Sequence, residues 1–110
     1  MYRSCPPVYA DFLTAGDDKP TVVIYGHYDV QPTDPIELWE SDPFAAEIRD
    51  GKLFGRGTSD MKGQVMASIH AVEAWMKQGG MPINIKWLLE GEEEIGSPSL
   101  GKFIENNKDL

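Results

Sequence analysis

This 110-residue chain has little cysteine, little histidine, a shortage of positive charge and no long apolar run. The single cysteine, Cys5, excludes an internal disulfide framework and stands outside any Cys/His metal-ligand spacing. No stretch approaches the roughly 18 consecutive apolar residues that a membrane-spanning helix needs. The first residues also lack the apolar core, about 7–15 residues long, of a secretory signal. A cytoplasmic protein with no membrane partner is the expectation. Ten Lys and Arg against eighteen Asp and Glu leave a net charge of −8, which argues against nucleic acid, whose phosphates call for a basic patch. Two glycine-motif phosphate sites are excluded as well. A dinucleotide fingerprint starting at Gly55 would need glycine at position 60, which is Asp60, and in a Walker loop Lys62 would have to follow a glycine and precede a hydroxyl.

What is present is a pattern of strands and helices of single-domain size. Val8–Leu13 reads as a short strand and Thr21–Tyr25, β-branched and aromatic, as a buried one. Pro32 to Pro43 reads as loop. Phe44–Arg49 and Lys52–Phe54 flank Asp50-Gly51, a strong hairpin signal. From Asp60 to Lys77, Val65, Ile69, Val72 and Met76 recur at helical spacing, and Gly79-Gly80 supplies the stop. Ile83–Leu89 predicts a second buried strand, and Ser97-Pro98 a cap and first position for a helix of about ten residues. Strand, helix, strand, helix predicts a βαβα unit on a parallel sheet. Trp39, Phe44, Trp75 and Trp87 are expected to pack, and His70 to lie on a helix flank.

Three segments carry the chemistry: Gly26-His27-Tyr28-Asp29-Val30-Gln31-Pro32, Gly55 to Gly63, and Glu90 to Ser97. Read singly, each has an ordinary explanation. His27-X-Asp29 is a common pattern around a satisfied histidine, Asp60 would cap a helix, and the glutamates would form a solvated turn. Read together, the first and third follow strands of one predicted sheet, and open α/β sheets bind ligands beyond the carboxyl ends of their strands. Residues two apart can share a side of an extended chain, so Asp29 can hold one ring nitrogen of His27 while the other meets a metal. Asp60, at a helix start, has two oxygens with which to bridge cations. Among Glu92, Glu93 and Glu94, one can ligate while a neighbour stays free as a base. Imidazole with carboxylates suits zinc, cobalt or manganese better than calcium, whose usual loop spacing is missing.

The chain resembles the first part of the catalytic domain of the co-catalytic zinc peptidases. That family includes carnosine dipeptidases, carboxypeptidase G, acetylornithine deacetylase and succinyl-diaminopimelate desuccinylase. The resemblance rests on Gly26 to Pro32, Trp39 with Asp42-Pro43-Phe44, Asp50-Gly51, Gly55-Arg56-Gly57, Asp60 with Lys62-Gly63, and the glutamate loop, in that order. It implies a three-layer α/β sandwich of the zinc-exopeptidase type, of which residues 1–110 form a partial catalytic domain. It implies two zinc ions, with cobalt or manganese as substitutes. His27 would ligate one metal, Asp60 would bridge both, Glu94 would ligate the second, Glu93 would act as general base and Asp29 would orient His27. A cis peptide after Asp60 would accompany them.

The activity implied is hydrolysis of a peptide or amide bond by a metal-activated water, on a small peptide or an N-acyl amino acid. The wording of the first and third segments looks closer to the dipeptidases than to the deacylases. The resemblance also implies a second carboxylate ligand, a distant histidine ligand and a lid domain that often forms a homodimer, none of them within these residues. Met1 is therefore expected to be an internal start, and the chain a fragment without measurable amidase activity alone. The rival expectations are an inactive remnant or weak metal-binding module, and a piece of an N-acyl-amino-acid deacylase.

Overall fold

The computed structural model describes residues 5–110; Met1, the expected internal start, lies outside them. Strand β1 (Val8–Phe12) is followed by β2 (Thr21–His27), the hairpin β3 (Glu47–Arg49) and β4 (Lys52–Phe54), helix α1 (Gly63–Lys77), strand β5 (Asn84–Glu90) and helix α2 (Leu100–Asn106). The main sheet has the order β1-β5-β2. β2 runs parallel to β5 with His27 opposite Glu90, so the α1 crossover brings both strand ends to one edge. β1 lies antiparallel to β5, with Val8 opposite Leu89. The sheet is therefore mixed rather than wholly parallel, as large α/β sheets with an antiparallel edge strand often are.

The two helices lie on opposite faces. On one, Val65 of α1 fills the space beside Gly26, where an added Cβ would stand 2.7 Å from its Cγ2. On that face Trp87 also donates its indole N–H to Ser68 Oγ at 3.2 Å. On the other face a cavity of about 380 Å³ separates Phe103 and Ile104 of α2 from Val23 and Leu88. Helix, sheet, helix is a small version of the expected sandwich.

The layers are thin. The Cα radius of gyration is 16.9 Å and the extents are 53 × 39 × 16 Å, whereas a compact chain of this length would have a radius near ~13 Å. Among the described residues, Val72 and Ile85 are the buried hydrophobic side chains. The expectation that Thr21–Tyr25 is a buried strand is corrected: β2 lies at an edge of the sheet, and Val23 is 61% exposed. Phe44 and Trp75 are also exposed rather than packed. Trp39 donates to the Thr33 carbonyl at 2.9 Å beneath the Arg56 guanidinium, so it packs as expected.

Local chemistry explains where boundaries moved. Asp50 and Gly51 both take positive φ, 49° and 73°, as a two-residue hairpin turn of the expected kind requires. The strand before it starts only at Glu47, because Ala46 is also left-handed with φ of 52°. The last helix begins at Leu100, not after a Ser97 cap. Ser97 has φ of 54° and its hydroxyl donates to Glu90 Oε1 at 2.8 Å, so Glu92 Oε2 accepts the Ser99 N–H instead.

Candidate metal centre

The site is built where β2 and β5 end. The Tyr28 N–H bonds the Glu90 carbonyl at 2.8 Å, continuing the ladder one step past the strands and setting the two loops side by side. Gly91 permits this closeness, since a Cβ there would meet the Tyr28 ring at 2.4 Å.

His27 is 3% exposed and held from both ends. Its Nδ1 lies 3.2 Å from the Asp29 carbonyl oxygen and 3.3 Å from Asp29 Oδ1. A carbonyl only accepts, so Nδ1 carries a hydrogen. Nε2 faces Asp60 Oδ1 at 3.1 Å and Glu93 Oε2 at 3.7 Å. Burial works against a charged ring here, but the Asp29 carbonyl, the Asp60 hydrogen bond and the nearby Glu93 and Asp29 carboxylates outweigh it. The His27 pKa is raised above its ordinary value. His27 Nε2 and the Asp60 and Glu93 carboxylates thus face one another across the space that a cation would take.

Asp60 does not open α1, contrary to the sequence expectation. It lies in a wide turn, Thr58–Lys62, with extended φ and ψ of −136° and 100°, and the helix begins at Gly63. The Asp60–Met61 peptide is cis, as the resemblance implies. An extended residue aims its carboxylate across the strand ends rather than along the helix axis, which is how Asp60 reaches His27.

The four glutamates of residues 90–94 separate into two pairs. Glu90 is 1% exposed, and its Oε1 accepts hydrogen bonds from the Tyr25 and Ser97 hydroxyls. That bond to Glu90, aided by burial, pushes the Tyr25 hydroxyl up to about 12. Glu92 is buried too, accepting from the Cys5 and Ser99 backbone N–H groups. Both therefore hold the loop. Glu93 and Glu94 form a short helical turn that faces the site. Glu94 is fixed by its own N–H donating to Asp29 Oδ2 at 3.0 Å, and by Gln31, whose amide donates to Glu94 O at 3.1 Å and to Glu94 Oε2 at 2.8 Å.

His27, Asp60 and Glu94 each offer one ligand atom, and these atoms lie within 4.8 Å of one another. One imidazole nitrogen and two carboxylate oxygens in that span are a donor set suited to a divalent cation. Asp29 stands behind this group, with one oxygen toward His27 and the other on Glu94 N–H. The structure thus brings together the five residues that the sequence singles out: His27, Asp29, Asp60, Glu93 and Glu94. Gln31 carries no signal as a single residue, although it lies inside the first quoted segment, four residues after His27. His70 lies on the exposed flank of α1 beside Glu73, as expected.

The fold and these strand-end carboxylates define a metallopeptidase-type α/β domain. The chain belongs to peptidase family M20/M25/M40, which it matches over residues 23–110. It is 46% identical over 105 residues to Beta-Ala-His dipeptidase of Homo sapiens, covering 94% of this chain and 21% of that protein. It is 50% identical over 80 residues to succinyl-diaminopimelate desuccinylase of Dechloromonas aromatica, covering 72% of this chain and 21% of that protein. Among solved structures, the M20 family metallo-carboxypeptidase Sso-CP2 from Sulfolobus solfataricus superposes with a TM-score of 0.88. It is 43% identical and is matched over 94% of this chain and 23% of its own. The chain thus spans about a fifth of the length of the curated relatives it matches. Among the described residues, no helix is long and apolar enough to cross a membrane.

Proposed function

We propose that this chain supplies the first half of a two-zinc site in a dipeptidase-like hydrolase. The observation that carries the proposal is the convergence of His27, Asp60 and Glu94 within 4.8 Å, with Glu93 beside them. His27 and Glu94 would each ligate one ion and Asp60 would bridge them. When bound, such ions polarise the scissile carbonyl and acidify a water. Asp29 orients the His27 ring through its main-chain carbonyl, which accepts from Nδ1 with the carboxylate alongside, and this leaves Nε2 as the atom toward a metal. Glu93, whose half-exposed carboxylate is not engaged by the loop's own hydrogen bonds, takes a proton from the attacking water and delivers it to the leaving amine. Zinc is preferred on the imidazole-and-carboxylate set, with cobalt or manganese as substitutes.

The dipeptidase reading is supported by the 94% coverage at 46% identity to Beta-Ala-His dipeptidase. The deacylase reading retains one observation in its favour, the 50% identity to a desuccinylase over a shorter span. A panel of unmodified dipeptides against N-succinyl and N-acetyl amino acids, given to the full-length protein that contains this chain, separates them. Dipeptide turnover with zinc is expected, and turnover of N-acyl amino acids alone would establish the deacylase instead. Glu93→Gln is expected to lower kcat by about 10²–10⁴-fold, the range for losing a general base, while zinc remains bound. Unchanged kcat in that variant would remove Glu93 from its role.

A further inference from the structure

We infer that Gln31 is a positioning residue for Glu94, setting the orientation in which that carboxylate meets a metal. The inference deepens the metal-site reading above and rests on it. Gln31 Nε2 donates to two acceptors on one residue, Glu94 Oε2 at 2.8 Å and Glu94 O at 3.1 Å. Both partners are acceptors, so the amide orientation is unambiguous and both of its hydrogens are used. The contact joins the loop after β2 to the loop after β5, 63 residues apart in sequence.

The result is a closed ring from the Glu94 main chain through the Gln31 amide to the Glu94 carboxylate. Asp29 closes a second connection between the same loops through Glu94 N–H. With backbone and carboxylate held to one amide, Glu94 loses the rotamer freedom that an unsupported glutamate keeps at the end of a flexible side chain. Oε2 retains a second lone pair and Oε1 both of its own, so the carboxylate can still donate to a cation.

The chemistry of the donor also matters. An amide is neutral, so it orients Glu94 without cancelling the negative charge that attracts a divalent ion. A lysine at this position would supply a similar hydrogen bond and repel the cation. Partners that hold a metal-ligating carboxylate in this way are ordinarily worth about 10–100-fold in metal affinity.

The test is a double-mutant cycle on the 110-residue chain, with Co²⁺ binding read by visible absorption. Gln31→Met keeps the length of the side chain and removes its donors. It is expected to weaken Co²⁺ binding at least tenfold and to alter the cobalt absorption bands. Glu94→Gln is expected to weaken binding by more. In the Glu94→Gln background, Gln31→Met is expected to change affinity less than twofold, because its target carboxylate is gone. A purely structural role would weaken binding equally in both backgrounds, and that outcome overturns the inference. Weak binding in Glu94→Gln beside normal binding in Gln31→Met overturns the inference alone and leaves the metal-site reading standing. Unchanged binding in Glu94→Gln overturns both. Should Gln31→Met fail to fold, Gln31→Asn takes its place. It keeps the amide and shortens its reach, so the same loss is expected, and each outcome bears on the inference in the same way.

Discussion

The carboxyl ends of β2 and β5 and the flanks of the sheet reverse the usual order of a protein interior. At the strand ends the buried side chains are polar: His27, Glu90 and Glu92 are all 9% exposed or less. Away from the strand ends, apolar side chains such as Val23 on the sheet edge, Leu38 in the loop after β2 and Ile48 in the β3–β4 hairpin stand largely in the open. At the strand ends, position is set by hydrogen bonds between loops more than by hydrophobic packing. Buried polar networks of this kind specify geometry when their members are satisfied, and fail together when one is removed. The contrast therefore says where substitutions will be felt.

Glu90 should give the largest effect on the fold. Glu90→Ala removes the acceptor of both the Tyr25 and Ser97 hydroxyls. A destabilisation of about 3 kcal/mol is expected, from the loss of two part-buried hydrogen bonds at one carboxyl oxygen, measured by urea denaturation. A loss no greater than that of a surface substitution would show that the buried network does not hold the loop.

The next effect is one of pH in the metal-free protein. The folded His27 pKa is raised, so the stability it contributes is fully present below its unfolded value of about 6.5 and is lost as pH rises through the folded value. The stability difference between the parent and His27→Gln should therefore shrink on raising the pH through that range. An NMR titration of His27 should have its midpoint above the ordinary histidine value of about 6.5. A His27 midpoint below about 6.5 would mean that burial outweighs the surrounding acceptors.

The smallest effects belong to the exposed loop and hairpin between β2 and α1. Leu38→Ala and Ile48→Ala, at 77% and 74% exposure, should each change stability by less than about 0.5 kcal/mol in the 110-residue chain. Larger losses would mean that these side chains are packed in solution and that the contrast between the regions is false.

Much of the fold was legible in the sequence because it rests on local signals. The β-branched run of β2, the helical spacing in α1 and the Asp50-Gly51 turn each carry their own chemistry. Other features depend on partners far along the chain. β1 pairs antiparallel with β5 at a separation that no local pattern encodes. Ser97 looks like a helix cap until Glu90, seven residues earlier, is seen to take its hydroxyl. Asp60 looks like a cap because it precedes a helical pattern, yet the extended backbone there turns it toward His27. Which glutamates of the acidic loop turn inward follows the register of β5, where Glu90 closes the strand opposite His27. The candidate site itself was visible because its histidine and carboxylates stand at strand ends, where few other roles need that combination.

Everything proposed for the strand ends depends on a divalent cation binding between His27 Nε2 and the surrounding carboxylates. Anomalous diffraction at the zinc edge, from crystals of the chain grown with zinc, observes that binding directly. The expected result is a peak within about 2.0–2.2 Å of His27 Nε2 and of at least one oxygen of Asp60 or Glu94. Zinc bound only beside His70 and Glu73 would show that the strand ends are not a metal site.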